Sequence, residues 1–221
     1  MIPLRSSEQV YTRTIATGAL IAINVVIFLY QSVLSTSALN EFVTEFGIVP
    51  DQFHPVTLAT SMFLHGGWMH LLGNMLFLWV FGRKIEDLIG SSKFVGFYLL
   101  GGLTAAVVHV IANPYSRVPT IGASGAIAAV MGAYLIKFPR SKIVTLVPLF
   151  VFVTTMELPA YLLLLYWFGI QFLSGVGSLA QVDYTGGGIA WFAHIGGFLA
   201  GMALIRLFPP KKRFRAWYDE E

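Results

Sequence analysis

The sequence predicts an all-α, polytopic membrane protein built as a bundle of six transmembrane helices. Three observations carry that prediction. Hydrophobic residues fill 56% of the 221 positions and charged residues only 11%, whereas a soluble domain carries about 25% charged residues to keep its surface solvated. Six stretches are long and charge-free enough to cross a bilayer. Thirteen of the 14 Lys and Arg residues fall on one side of the resulting topology. The same composition excludes a disordered chain. The absence of cysteine excludes a disulfide scaffold, a thiolate nucleophile and Cys-ligated zinc.

A membrane-spanning helix needs about 20 mostly apolar residues, because a charge at mid-bilayer costs on the order of 3 kcal/mol. The intervals Arg13–Glu41, Asp51–Arg83 and Lys93–Arg117 hold 27, 31 and 23 residues without Asp, Glu, Lys or Arg. Arg117–Lys137, Glu157–Asp183 and Asp183–Arg206 hold 19, 25 and 22. The predicted helices are Thr14–Leu34, Trp68–Leu88, Lys93–Ala112, Gly122–Lys137, Pro159–Leu179 and Gly188–Phe208. The second carries Arg83, Glu86 and Asp87 in its last turns, near the interface. Ile143–Met156 has only 14 residues and contains Pro148, so it reads as a buried or interfacial connection. Ser37–Ala38 follows the first apolar run as a signal-peptide cleavage site would, but its length and the five spans behind it favour a retained anchor.

The organisation expected is a cytoplasmic segment 1–13, a helical domain 14–208 and a basic cytoplasmic tail 209–221. An even number of spans puts both termini on one side, with Arg117 alone among the basic residues opposite. By the positive-inside rule that crowded side is the cytoplasm. The tail Lys211–Arg215 reads as the positive-inside anchor of the last helix. The short N-terminus and compact core point to a prokaryotic plasma membrane.

Under this topology the second, fourth and sixth helices all run inward from the outer face, and unusual polar residues cluster near their outer ends. His70 and Asn74 lie in the first turns of the second helix, Ser124 at the entry of the fourth, and His194 about two turns into the sixth. At 1.5 Å rise per residue all four fall within about 10 Å of the outer boundary. His70 and Asn74, four apart, share one helix face. Ser124 sits in Gly122-Ala123-Ser124-Gly125, at a helix N-terminus where free N–H groups favour negative charge. Gly197 and Gly201 after His194 form a small-xxx-small surface for close helix approach. His65 and His109 read as an exposed loop residue and a hydrogen-bonded helix-interior residue.

A serine hydroxyl becomes a good nucleophile when a neighbouring base accepts its proton, and His194 is the natural base for Ser124. The Asn74 amide, a His70 N–H and the Ser124 backbone N–H are candidate donors to the oxyanion formed on attack at a carbonyl. No Asp or Glu lies at this depth to orient the imidazole. The expected centre is therefore a Ser–His dyad, with the histidine held by packing and other hydrogen bonds. Hydrolysis consumes water, so the site must open to the outer aqueous phase.

Three stretches, His70-Leu71-Leu72-Gly73-Asn74, Gly122-Ala123-Ser124-Gly125 and Ala193-His194-Ile195-Gly196-Gly197 with Gly201, occur in order on the second, fourth and sixth helices. In this the sequence resembles the rhomboid family of intramembrane serine proteases, across nearly the whole core from Thr14 to Phe208. The resemblance implies a rhomboid-like six-helix bundle with Ser124 as nucleophile, His194 as general base, and His70, Asn74 and the Ser124 N–H as the oxyanion hole. It implies no cofactor, metal or nucleic-acid partner. The implied substrates are transmembrane helices in the lipid bilayer, cut near their outer ends where helix-breaking residues expose the carbonyl.

The resemblance also maps the family's long first loop to Ser35–Gly67, whose segments Glu41-Phe42 and Phe53–Phe63 are amphipathic. It maps the mobile cap over the active site to the connection holding Gly186-Gly187-Gly188. Two positions depart from the pattern. His54-Pro55-Val56-Thr57 stands where many members have a Trp-Arg pair. Ala128 stands where many have an aromatic that stacks on the catalytic histidine, so Phe77 or Trp191 is the expected substitute ring. The competing readings are a catalytically inactive member that binds membrane helices, a transporter or channel using the intramembrane His and Asn, and a metalloprotease using His65, His70 and His194. No H-E-x-x-H supports the last.

Overall fold

The computed structural model describes residues 1–149, 152–179 and 190–212. Among these the chain is mostly helical. Helix α1 spans Ile15–Val33, α2 Thr36–Phe46, α3 Thr57–Thr60, α4 Trp68–Phe77 and α5 Arg83–Ile89. Helix α6 spans Ser91–Ala112, α7 Ser124–Lys137, α8 Ala160–Leu179 and α9 Trp191–Leu204. Among the described residues three helices, α1, α6 and α8, are long and apolar enough to cross a membrane. The ends predicted from charge spacing fall within a few residues of these boundaries. Gly188, Arg213 and Arg215 lie outside the described residues.

Helix α7 is the axle of the molecule. Its eleven residues from Gly125 to Leu135 are all buried, the pattern of a helix surrounded by protein on every side. Its closest neighbour is α9, and glycines set the spacing. A Cβ on Gly197 would run into the carbonyl oxygen of Gly125, one on Gly201 into that of Ala129, and one on Gly132 into that of Phe198. The two backbones therefore touch. On the other side a Cβ on Gly101 of α6 would strike the Ala129 side chain. Phe94, Phe97 and Tyr98 of α6 complete the core.

Helices α4 and α5 are one continuous rod, joined by a π-helical turn at Leu78–Gly82. At its inner end Glu86 and Asp87, expected near the interface, are buried. Each meets a specific demand. The Glu86 carboxylate accepts from the backbone N–H groups of Ala16 and Thr17 at 2.9 and 2.7 Å. It accepts from the hydroxyls of Thr17 and Ser91 at 2.7 and 2.6 Å as well. The open N–H groups of a helix start are thus capped by an acid from another helix, at the positive end of the α1 dipole. Asp87 accepts from the N–H groups of Tyr11 and Thr12, both at 3.0 Å. Lys84 lies 3.8 Å from Asp87 and donates to the Gln9 carbonyl at 2.7 Å.

The all-α expectation needs one correction. Residues read as an irregular connection form an antiparallel hairpin, β2 Lys142–Leu149 and β3 Phe152–Pro159. The N-terminal segment supplies a third strand, β1 Ile2–Ser6, antiparallel to β2. The physical reason is local. Ile143, Thr145 and Val147 are buried while Val144 and Leu146 between them are half-buried, a period of two. A search for charge-free length alone does not detect it. Pro148 is tolerated because β1 reaches only as far as Leu146, so no partner on that side needs its missing N–H.

In the first loop, Ser35 caps α2 by accepting from the Ala38 N–H at 3.3 Å. Glu41 and Glu45 of α2 are exposed, while Phe42 turns toward Tyr30 with ring centroids 5.5 Å apart. His65, expected to be exposed, is only 2% accessible. The Gln31 side chain of α1 grips its main chain, accepting from the N–H at 3.0 Å and donating to the carbonyl at 3.2 Å.

Candidate active site

The backbone contact between α7 and α9 sets what lies just beyond it. Ser124 is the residue before Gly125, and His194 is one turn before Gly197. Their side chains meet: the Ser124 hydroxyl and His194 Nε2 are 2.8 Å apart. His194 is buried and Ser124 half-buried at the start of α7. The two residues, 70 apart in sequence, are thus joined by the geometry the glycines permit.

Both line a cavity of about 700 Å³ whose walls also hold His70, Asn74, Gly73 and Thr120. The structure therefore brings all four polar candidates to one space. The Gly66 N–H donates to His70 Nδ1 at 3.3 Å. That bond occupies Nδ1 as an acceptor, so the neutral ring keeps its hydrogen on Nε2. Gly122, at φ +128°, passes so near that a Cβ there would lie 2.8 Å from His70 Nε2. The Asn74 amide nitrogen is 3.0 Å from His65 Nε2, which uses one of its two N–H groups and leaves the second, fixed in the amide plane, as a donor.

Gln171 and Trp167, which the sequence reading did not single out, also serve the imidazole. The Gln171 side-chain oxygen lies 2.6 Å from His194 Nδ1. The Trp167 indole packs on the His194 ring at 5.7 Å between centroids, tilted by 42°. The substitute ring is therefore Trp167 rather than Phe77 or Trp191. Phe77 lines the cavity elsewhere, and the Trp191 Cβ lies near Gly175 of α8. Trp167 and Gln171 are four apart on α8, the same spacing that marked His70 and Asn74, and that spacing was the available signal.

His109 lies behind the cavity wall, bonded through Nε2 to the hydroxyl of its Thr120 at 2.8 Å. Among the described residues no three His, Cys, Asp or Glu side chains gather into a metal-binding group. The Gly186-Gly187-Gly188 segment lies outside the described residues.

The sequence model of the rhomboid domain matches residues 52–211. The chain belongs to the rhomboid family. Rhomboid proteins are integral membrane proteins, and the apolar helices agree with that. The chain is 30% identical to RHOMBOID-like protein 5 of Arabidopsis thaliana over 147 residues, 66% of this chain and 42% of that one. It is 33% identical to Rhomboid protease GluP of Bacillus subtilis over 123 residues, 54% and 24% of the two chains. It is also 30% identical to Inactive rhomboid protein 1 of Homo sapiens over 162 residues, 73% and 16% of the two. The chain thus spans less than half the length of these rhomboid relatives.

Proposed function

We propose that this rhomboid protein is an intramembrane serine endopeptidase, with Ser124 as nucleophile and His194 as general base. The observation that carries the reading is the 2.8 Å approach of the Ser124 hydroxyl to His194 Nε2 inside a cavity. Family membership alone does not decide it, since the relatives include proteins named inactive as well as a protease.

In the proposed reaction, Ser124 Oγ attacks the substrate carbonyl while Nε2 takes its proton. The oxyanion receives hydrogen bonds from the Ser124 backbone N–H, the His70 Nε2–H and the Asn74 amide. Collapse breaks the peptide bond, and the imidazolium returns its proton to the departing amine. Water, activated by the same histidine, then hydrolyses the acyl-enzyme and regenerates Ser124.

The reading places six helices across the membrane: α1, the rod α4–α5, α6, α7, α8 and α9. Both termini are cytoplasmic, as the thirteen-to-one distribution of Lys and Arg supports. We place the protein in a prokaryotic plasma membrane, a reading that rests on the compact helical core and not on the relatives, which are both bacterial and eukaryotic. With 14 residues, α7 is only about 21 Å long against a hydrocarbon core of about 30 Å. If its basic end at Lys137 meets the inner boundary, Ser124 lies recessed below the outer one. Substrates are transmembrane helices that unwind near their outer ends, because a helical carbonyl is already bonded and shielded.

The test is cleavage of a transmembrane reporter in proteoliposomes. Wild type cleaves it, while Ser124→Ala and His194→Ala, folded to the same degree, do not. A fluorophosphonate labels wild type but not Ser124→Ala. Cleavage by Ser124→Ala at the wild-type rate refutes the assignment of the nucleophile, and a folded wild type that neither cleaves nor labels supports the inactive reading.

A further inference from the structure

We infer that Gln171 is a positioning residue, whose side-chain oxygen holds a hydrogen on His194 Nδ1 and so presents Nε2 as the free base to Ser124. The inference deepens the proteolytic reading above and rests on it.

The imidazole is constrained in its plane from both ends. Nδ1 lies 2.6 Å from the Gln171 oxygen and Nε2 lies 2.8 Å from the Ser124 oxygen. A carbonyl oxygen only accepts, so Nδ1 must be the donor and carry the hydrogen. The neutral ring then has its lone pair on Nε2, the nitrogen that must receive the serine proton. The Trp167 indole leans against the ring, tilted by 42° at 5.7 Å between centroids, and limits its rotation.

The amide suits its surroundings. Gln171 is 7% accessible within an apolar helix. A carboxylate buried there would carry a large desolvation penalty, which a neutral amide avoids while offering the same acceptor atom. Its approach is made possible by Gly175, one turn further along α8, where a Cβ would sit 3.2 Å from both Trp191 Cβ and Ile195 Cδ1. When His194 takes the serine proton, the Nδ1–H···O bond becomes charge-assisted and shortens the climb to the transition state. A bond that strengthens only then raises kcat rather than substrate affinity. Gln171 is also not among the residues that line the substrate-sized cavity.

The experiment compares wild type with Gln171→Leu in proteoliposomes, with kcat and KM measured separately. Gln171→Leu lowers kcat by on the order of 100-fold, the scale of a general-base contribution, with KM unchanged. Unchanged kcat in a folded Gln171→Leu protein overturns the inference. So does a loss that appears in KM alone.

Nitrogen-15 NMR of the wild-type histidines tests the same point without turnover and without any variant. His194 shows its hydrogen on Nδ1, and finding it on Nε2 overturns the inference even if Gln171→Leu does not fold. A folded wild type that neither cleaves the reporter nor takes up the fluorophosphonate would instead sink the protease reading and leave this tautomer measurement standing, so the two failures are told apart.

Discussion

Gly197 on α9 rests against the main-chain carbonyl of Gly125 on α7, with no room for a methyl group between them. This contact lies one residue from Ser124 and one turn from His194, so it gauges the distance between them. Gly197→Ala should separate the helices locally, costing about 2 kcal/mol as overpacking of a tight core does. Loss of fluorophosphonate labelling should accompany a fall in the unfolding temperature in detergent. Gly169→Ala, which meets nothing within 4 Å, should change neither. Normal labelling of Gly197→Ala would show that the spacing tolerates more than the structure implies.

Gly122 makes a sharper local prediction. Its φ of +128° is reached easily only without a side chain. A Cβ there would also press on the His70 ring at 2.8 Å. Gly122→Ala should displace His70 from its proposed oxyanion position and lower kcat by on the order of 100-fold, as loss of one oxyanion donor does. The fold should largely survive. Steady-state cleavage with a parallel unfolding curve checks both parts.

Glu86 should matter to stability rather than to chemistry. Glu86→Ala would strand two N–H groups at the start of α1 and the hydroxyls of Thr17 and Ser91. Each buried orphan costs about 1–3 kcal/mol. The variant should therefore unfold at markedly lower temperature or denaturant concentration. Glu86→Gln, which keeps an acceptor oxygen, should lose less. Equal stability of all three proteins would mean that α1 does not depend on this acid.

The loop residue His65 gives a pH dependence with a defined sign. Burial, and then the nearby His70, hold its pKa down from 6.5 to about 4. The folded state thus disfavours the protonated ring. The stability this contributes is fully present above pH 6.5 and is lost as pH falls through about 4. The whole effect is on the order of 3 kcal/mol. Unfolding measured across that range should show a flatter profile for His65→Gln than for wild type. Parallel profiles would assign the acid sensitivity to other groups.

The parts of this molecule that were legible in the sequence are those where chemistry and spacing coincide. Charge-free intervals located the helices because a charge in lipid is costly wherever it falls. His70 with Asn74, and Ser124 among its glycines, stood out because polar residues are rare in such intervals. Gln171 did not stand out, because its spacing of four from Trp167 gains meaning only once its partner His194, 23 residues away, is known. His65 was misjudged for the same reason: its burial depends on Gln31, 34 residues upstream. The β-sheet was hidden by its own hydrophobicity. Ile143, Thr145 and Val147 add charge-free length like any apolar run, whereas the informative property is their alternation with Val144 and Leu146.

The π-helical turn at Leu78–Gly82 has one more consequence. A rod that carries His70 and Asn74 at one end and the acids securing α1 at the other must keep both ends in rotational phase. Removing one residue from that wide turn would twist one end by about 100° against the other, the angle each residue subtends around an α-helix. The segment is therefore a spline as well as a strut. Its register aims the proposed oxyanion donors at the serine while the opposite end stays locked to the first helix.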